Sequence, residues 1–305
     1  MRIAIVGIGG IGGFLGTKLC TAYSESKIHE IIFIQRGEHY SKIKESGLTY
    51  IGKTETIIHP HHIYETTEDA GIFDLVFMAV KSRDLEVATR AISNNVTEDT
   101  IIIPLLNGVN NAKRIKNKIP KSTVLNGCIY VSAAIENPGT VRQLGGAGKL
   151  IIGPLKGKTE PFEHIVTVLK DAGINAELTA DITRAVWEKY ILISSWASIS
   201  SKYKLPIGAI LNNGAIREEL KTMLEEAVKV ATTLGVMLDE EIIKNCMDRY
   251  AILPYTNKTS MQLDIEAGKK PEIDIMTKFI VDTAAQLGID VPTYSNVLKA
   301  LSKRK

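Results

Sequence analysis

A glycine-rich loop near the start of the chain has the residue types and spacing of a nucleotide-phosphate site. Gly7, Gly9 and Gly12 directly follow the β-branched run Ile3 to Val6, and a helical apolar pattern begins at Ile11. In this context the glycines permit a tight turn, close approach of the backbone to a pyrophosphate, and close packing of helix on strand. Free amides at the helix N-terminus also attract anions. The predicted dinucleotide site comprises Gly7, Ile8, Gly9, Gly10, Ile11 and Gly12. The alternative is a glycine turn that binds no ligand.

The residues after the second predicted strand bear on the choice between NAD and NADP. An acidic residue there hydrogen-bonds the ribose of NAD, whereas an arginine accommodates the 2′-phosphate of NADP. Here the run Glu30 to Ile34 is followed by Gln35, Arg36 and Gly37, with no carboxylate among them. We therefore predict NADP(H) as the cofactor, with the Arg36 guanidinium paired to the phosphate. An ordinary surface arginine is the alternative.

Two further polar residues directly follow apolar runs that are predicted to be strands. Lys81 follows the run Leu75 to Val80, and Asn107 follows the run Ile101 to Leu106. Ligands of open α/β sheets bind outside the carboxyl ends of the strands, so both residues are predicted to line the cofactor crevice. The alternatives are a solvated lysine for Lys81 and a turn former for Asn107, because Asn-Gly is a strong turn dipeptide.

The elements that position these residues change in type along the chain. As far as about residue 180, short β-branched runs alternate with amphipathic stretches, which predicts a Rossmann-type, doubly wound parallel sheet. The helices predicted between the runs are Ile11 to Ser24, Leu85 to Asn94 and Ala112 to Lys118, and the later strands predicted to complete the sheet are Thr140 to Gly153 and Ile174 to Leu178. Beyond residue 180 the strand signal disappears, and helical periodicity indicates an all-α second domain. We predict a cofactor domain over residues 1–179 and a helical substrate domain over residues 180–305. The helices predicted in the second domain are Asp181 to Ser201, Ala215 to Leu234, Glu240 to Arg249, Thr259 to Glu266, Glu272 to Leu287 and Tyr294 to Leu301.

Length and composition exclude several classes of protein. A chain of 305 residues favours two domains, and a net charge of +3 spread along the sequence argues against nucleic-acid binding. Neither a signal peptide nor a membrane span is predicted, so we expect a cytoplasmic protein with no membrane partner. The long apolar helices of the second half permit a homodimer. We predict no metal, because the histidines of residues 59–62 lack a carboxylate or cysteine at ligand spacing.

Taken in order, the motifs resemble those of the ketopantoate reductase family, the NADPH-dependent reductases of the pantothenate pathway. The resemblance spans nearly the whole chain. It implies reduction of the ketone of a small 2-oxo acid, 2-dehydropantoate, to the hydroxyl of pantoate. The motifs that carry it are the Gly7 to Gly12 loop, Arg36, Lys81, Asn107-Gly108, Trp187-Glu188-Lys189, Asn257 to Met261 and Glu272-Ile273-Asp274.

The resemblance also implies roles for individual residues. Lys189 matches the family's general acid, and Glu272 matches a catalytic-site carboxylate near the hydroxyl end of the substrate. Asn107, Asn257 and Ser260 match substrate-binding positions. By their local sequence alone, Lys189 could equally be a lysine snorkelling from an amphipathic helix, Ser260 part of an N-cap, and Glu272 a dipole-favoured residue in a first helical turn.

One departure from the family pattern bears on the substrate. Biosynthetic members typically have asparagines four and eight residues after the lysine, where this chain has Ile193 and Ala197. Those positions share the helical face of Lys189, so the substrate side has lost two amide groups. A related NADPH-dependent reductase of another, more apolar 2-oxo acid is therefore an alternative. A non-catalytic NADP-sensing protein is a second.

Overall fold

The chain forms two compact units in a computed structural model, which describes residues 1–303. The first unit is Met1–Ile182 and the second is Thr183–Lys305. The sequence-based expectation was a division between residues 179 and 180.

The first unit is built on one sheet of ten strands. The strands are β1 (Arg2–Val6), β2 (Glu30–Ile34), β3 (Leu48–Ile51), β4 (Glu55–Ile58), β5 (His62–Tyr64), β6 (Leu75–Met78), β7 (Ile101–Pro104), β8 (Thr123–Asn137), β9 (Thr140–Pro154) and β10 (Ala176–Leu178). Their order is β4-β3-β9-β8-β7-β6-β1-β2-β5, and β10 pairs with β9. The pairs β3–β4 and β8–β9 are antiparallel, and the other pairings are parallel. The carboxyl ends of β7, β6, β1 and β2 therefore lie side by side along one edge.

Helices cover both faces of this sheet. They are α1 (Gly10–Tyr23), α2 (Gly37–Ser46), α3 (Leu85–Ala91), α4 (Asn111–Lys118) and α5 (Glu163–Asp171). Side chains alternate along a strand, so Ile3 and Ile5 of β1 join one core with α1 and α5, whereas Ala4 and Val6 join another with α3 and α4. A central strand that is buried on both faces has a continuous run of apolar residues in its sequence. The predicted doubly wound sheet is thus confirmed.

The sequence-based prediction missed the long antiparallel hairpin. It identified β9 as Thr140 to Gly153 but assigned no strand to β8. The first half of β8 is buried and its second half is largely exposed, so the segment shows neither a continuous apolar run nor strict alternation. The strands β3, β4 and β5 and the helices α2 and α5 were also missed, because they are short or strongly polar.

The only regular elements in the described residues of the second unit are helices, as predicted. Its helices are α6 (Ile182–Tyr203), α7 (Ile207–Asn212), α8 (Gly214–Thr233), α9 (Ile242–Ala251), α10 (Ser260–Glu266), α11 (Phe279–Leu287) and α12 (Pro292–Ser302). The stretch predicted as one helix from Glu272 to Leu287 is continuously helical from residue 273, but its first part, Asp274–Lys278, is π-helical and leads directly into α11.

Buried hydroxyl groups fix α6 inside this unit. Ser194 and Ser195 place their Oγ atoms 2.9 and 3.1 Å from Tyr294 Oη, and Ser198 Oγ lies 2.7 Å from Thr277 Oγ1. A buried hydroxyl without a partner is costly, so these pairs explain how a helix rich in serine can lie in a core. These hydrogen bonds also fix the rotation of α6 about its axis, and so the direction in which its other side chains point.

Candidate active site

The glycine loop joins β1 to α1 with little room for side chains. Gly7 has φ +91°, a conformation that favours glycine, and a Cβ on Gly12 would lie 1.9 Å from the carbonyl oxygen of Gly7. A Cβ on Gly10 would lie 1.8 Å from the carbonyl oxygen of Ala133 in β8. A Cβ on Gly9, by contrast, would meet nothing within 4 Å. Protein contacts thus require three of the glycines, whereas Gly9 leaves its side of the loop open to a ligand.

One side chain from the β2–α2 connection and one from the first turn of α2 hold this loop in place. The Ile8 amide donates to Gln35 Oε1 at 2.8 Å, and the Ile8 carbonyl accepts from His39 Nε2 at 2.8 Å. The amide of Gly139, at the tip of the β8–β9 hairpin, donates to His39 Nδ1 at 2.8 Å. Since Nδ1 accepts and Nε2 donates, His39 is neutral. Burial lowers the pKa of His39 from its ordinary 6.5, and the hydrogen bond to Ile8 opposes this shift.

Arg36 lies at the same edge, where β2 ends. β1 and β2 are parallel with Val6 opposite Ile34, so the residues after each strand emerge together. Arg36 is the N-cap residue of α2 and its side chain is exposed. Gly37 follows it with φ +70°, and a Cβ there would meet nothing within 4 Å. The Cα of Gly37, like that of Gly9, therefore borders open space.

Lys81 and Asn107 complete this edge. β6 ends at Met78, and the Ala79 amide continues its pairing by donating to the Val6 carbonyl at 2.9 Å; the exposed Lys81 then begins a short 3₁₀ turn. Asn107 is half-buried and follows β7. The order along the edge is therefore Asn107, Lys81, the glycine loop and Arg36, as the sheet order requires.

A buried asparagine shapes the loop that carries Asn107. Nδ2 of Asn111 donates to the carbonyls of Leu106, Asn107 and Gly108, each at 3.1 Å. Gly108 has φ +111°, a conformation that favours glycine, and the chain bends over residues 106–110. Asn111 was not singled out from the sequence, because nothing local distinguishes it from other helix-starting asparagines.

In the second unit, Lys189 is buried, with 8% of its surface exposed. Positions 189, 193, 197 and 200 recur at helical spacing on one face of α6. Of the two apolar replacements on that face, Ile193 is half-buried and Ala197 is buried. Trp196 shares the face, and its indole Nε1 is buried without an acceptor in the described part of the chain.

The segment that contains Glu272 is fastened to α6 beside Lys189. The hydroxyl of Tyr190 donates to the Ile275 carbonyl in the π-helical segment at 2.6 Å. Burial raises the pKa of Tyr190 well above its ordinary value of 10, so this donor stays protonated. Glu272, half-buried, accepts through its own carbonyl from the Ile275 and Met276 amides at 3.1 and 3.0 Å. The rings of Trp187, Tyr190 and Phe279 pack against one another where the Glu272 segment meets α6.

A second attachment lies three helical turns further along α6. Ser200 Oγ is 2.9 Å from Thr259 Oγ1, and Thr259 caps α10 by accepting from the Gln262 amide. Ser260 is exposed at the first position of α10, and Asn257 is half-buried with its carbonyl accepting from the Ile207 amide at 2.9 Å. The segment with Asn257 and Ser260 is thus tied to the face of α6 that carries Lys189.

Comparison with known sequences identifies the family. Residues 3–157 match the family described as ketopantoate reductase PanE/ApbA, and residues 181–305 match its C-terminal part. The chain belongs to the ketopantoate reductase family. Members of this family are oxidoreductases, and this chain is an oxidoreductase of the same type.

Individual relatives of this ketopantoate reductase family chain differ in how their function is described. An uncharacterized oxidoreductase, YkpB, of Bacillus subtilis is 26% identical, with 97% of this chain and 96% of the relative covered. A 2-dehydropantoate 2-reductase of Halobacterium salinarum is 27% identical, with 96% and 95% covered. The crystal structure of a PanE/ApbA family ketopantoate reductase from Ralstonia eutropha has a TM-score of 0.90, 26% identity, and 100% and 98% covered.

The fold of the family does not by itself specify the substrate. A solved D-mandelate dehydrogenase, in a ternary structure with NADH and anilino(oxo)acetate, has a TM-score of 0.90 at 24% identity, with 100% of this chain and 98% of that chain covered. This likeness shows a shared fold alone. A fold that is shared at this level of identity does not identify a substrate.

Two other structural features bear on function in this ketopantoate reductase family member. Among the described residues, no three side chains of His, Cys, Asp or Glu are grouped so that they could hold a metal ion. His61 instead accepts the Ile31 amide through Nδ1 at 3.1 Å. In residues 1–303, no helix combines the length and apolar character needed to span a bilayer.

Proposed function

We propose that this chain reduces 2-dehydropantoate to pantoate with NADPH. The observation that carries the proposal is the burial of Lys189 on α6, the helix to which both the Glu272 segment and the Asn257–Ser260 segment are hydrogen-bonded. These are the positions that match the family's general acid, carboxylate and substrate-binding residues. Membership of the family over both parts of the chain supports the same reaction.

The residues at the sheet edge fit a nicotinamide dinucleotide. The Gly7–Gly12 loop would hold the pyrophosphate, since Gly9 leaves the loop open and the first amides of α1 lack intrahelical acceptors. Arg36 would pair with a 2′-phosphate, and Lys81 and Asn107 would contact the nicotinamide half. When bound, the reduced cofactor supplies a hydride to the carbonyl carbon.

The protein itself supplies orientation and a proton. Lys189 donates a proton from Nζ to the ketone oxygen, which becomes the hydroxyl of the product. Glu272 hydrogen-bonds near the hydroxyl end of the substrate, and Asn107, Asn257 and Ser260 hold the remaining polar groups.

The test is to mix purified protein with NADPH and 2-dehydropantoate and follow the nicotinamide absorbance. We expect Lys189→Ala to reduce turnover by about a hundredfold or more, as for loss of a general acid, while NADPH binding is retained. Lys229→Ala is the matched control, because Lys229 is an exposed lysine of α8. Unchanged turnover of Lys189→Ala would remove this residue from the mechanism.

A second candidate function is reduction of a different, more apolar 2-oxo acid. Ile193 and Ala197 favour it, because they give the lysine-bearing face of α6 an apolar surface where amides would bind a hydroxyl. A panel of 2-oxo acids in the same assay distinguishes the two. If wild-type protein binds NADPH yet reduces no acid in the panel, a non-catalytic NADP sensor becomes the better account.

A further inference from the structure

Glu65 stands beside the predicted phosphate-binding arginine, although it is 29 positions later in the sequence. β5 ends at Tyr64 and runs parallel to β2, with Ile34 opposite Tyr64. The Gln35 amide continues this pairing by donating to the Tyr64 carbonyl at 3.1 Å. The residues that follow the two strands therefore leave the sheet together, which brings the Glu65 side chain to the start of α2.

The carboxylate of Glu65 already occupies a group that would bind an anion. The Gly37 amide, the first of α2, donates to Glu65 Oε1 at 2.9 Å. This amide directly follows Arg36, the predicted partner of a 2′-phosphate. Glu65 is exposed and Gly37 faces open space, so a ligand can reach the same position.

We propose that Glu65 determines how strongly this chain prefers NADP(H) over NAD(H). The inference rests on the proposed cofactor site. A 2′-phosphate at Arg36 must displace the carboxylate from the Gly37 amide or lie close to a like charge, and either costs binding free energy. The ribose 2′-hydroxyl of NAD instead can donate a hydrogen bond to the carboxylate. Glu65 therefore works against Arg36 and narrows the difference in affinity between the two cofactors.

Sequence analysis did not identify Glu65, because its position next to Arg36 depends on the topology of the sheet. Cofactor choice is read from the residues after the second strand along the chain, where this protein has no carboxylate. The acidic group comes from the strand that flanks β2 in the sheet, and only the pairing of β2 with β5 places it there.

The experiment compares the dissociation constants of NADP⁺ and NAD⁺ for the full chain by calorimetry, with no oxo acid present. Glu65→Gln removes the charge but keeps an amide oxygen that can accept from Gly37, so α2 keeps its contact. We expect NADP⁺ to bind about fivefold more tightly to this variant, as for removal of an exposed like charge, and NAD⁺ to bind no better. The matched control is Glu68→Gln, which removes an exposed charge nearby and should leave the ratio of the two constants unchanged.

The outcomes separate the two proposals. If Glu65→Gln changes both affinities equally, or shifts the ratio towards NAD⁺, the role of Glu65 is overturned while the cofactor site stands. Arg36→Gln should weaken NADP⁺ selectively. If it does not, or if the wild-type chain binds neither nucleotide, the proposed cofactor site is wrong and the role of Glu65 falls with it.

Discussion

The glycine loop and the lysine-bearing face of α6 differ in the kind of chemical group that they present. The loop offers main-chain amides, and its shape is set by absent side chains and by hydrogen bonds to Gln35 and His39. The α6 face offers side chains on a regular helix, and Lys189 on this face is buried. A helix keeps its geometry when one helix-compatible side chain replaces another at position 193 or 197, whereas the loop does not tolerate a methyl group at position 10 or 12.

This difference explains why one site is more readily recognised than the other. A main-chain site binds what every dinucleotide shares, the phosphates, so its glycines remain recognisable in sequence. A side-chain site on a helix face can change its specificity by single substitutions without loss of fold. Ile193 and Ala197 are substitutions of that kind relative to the family pattern.

The largest effect is expected within the glycine loop. Gly12→Ala places a Cβ 1.9 Å from the Gly7 carbonyl oxygen, so we expect a loss of about 3 kcal/mol in the free energy of unfolding. Gly9→Ala is the matched variant, because its Cβ meets no protein atom within 4 Å. It should unfold in urea like the wild type yet bind NADPH at least about tenfold more weakly, because the methyl group intrudes on the ligand. Equal destabilisation by both variants would contradict this division of roles.

A smaller loss of stability is expected from substitution of His39, a residue outside the glycine loop that hydrogen-bonds to it. His39→Leu leaves the Ile8 carbonyl and the Gly139 amide without their partner, and we expect it to cost about 2 kcal/mol of folding free energy. His39→Gln can replace one or both hydrogen bonds and should recover part of that loss. Urea unfolding of the three proteins at neutral pH measures both effects.

His39 should also make stability depend on pH. Its native pKa is lowered from 6.5, so the unfolded chain takes up the proton first as the pH falls. The stabilisation is therefore complete above pH 6.5 and is lost as the pH drops from 6.5 through the native pKa. His39→Gln should flatten this dependence, whereas His164→Gln, at an exposed histidine, should not. Identical pH profiles for all three proteins would show that His39 does not titrate as described.

The smallest effect tests the α6 face. Ile193→Asn returns an amide to the side of the helix that carries Lys189. If the pocket binds 2-dehydropantoate, this change should raise its kcat/KM about tenfold relative to the same acid without its hydroxyl, 3,3-dimethyl-2-oxobutanoate. Ile193→Leu is the control, since it keeps the volume and adds no polar group. A ratio that stays constant in Ile193→Asn would place position 193 away from the substrate.

The sequence predicted the elements that carry the site better than the contacts that shape it. The strands that end before the glycine loop, Arg36 and Asn107, and the helix of Lys189, were all predicted within about two residues of their bounds. Each is a long apolar run or a strongly periodic stretch. The π-helical turn after Glu272 was not predicted, because its stabilising bond comes from Tyr190, 85 positions away.

What the sequence alone determined is therefore local: a strand–glycine–helix start, an alternating first half, a helical second half, and a family pattern with two changed positions. Tertiary structure alone decided that His39 would bridge the loop to Gly139, 100 positions later, and that Glu65 would reach the start of α2. The reason is physical. Periodicity records which face of an element is buried, but the partner that meets that face depends on strand order and packing, which no short stretch of sequence encodes.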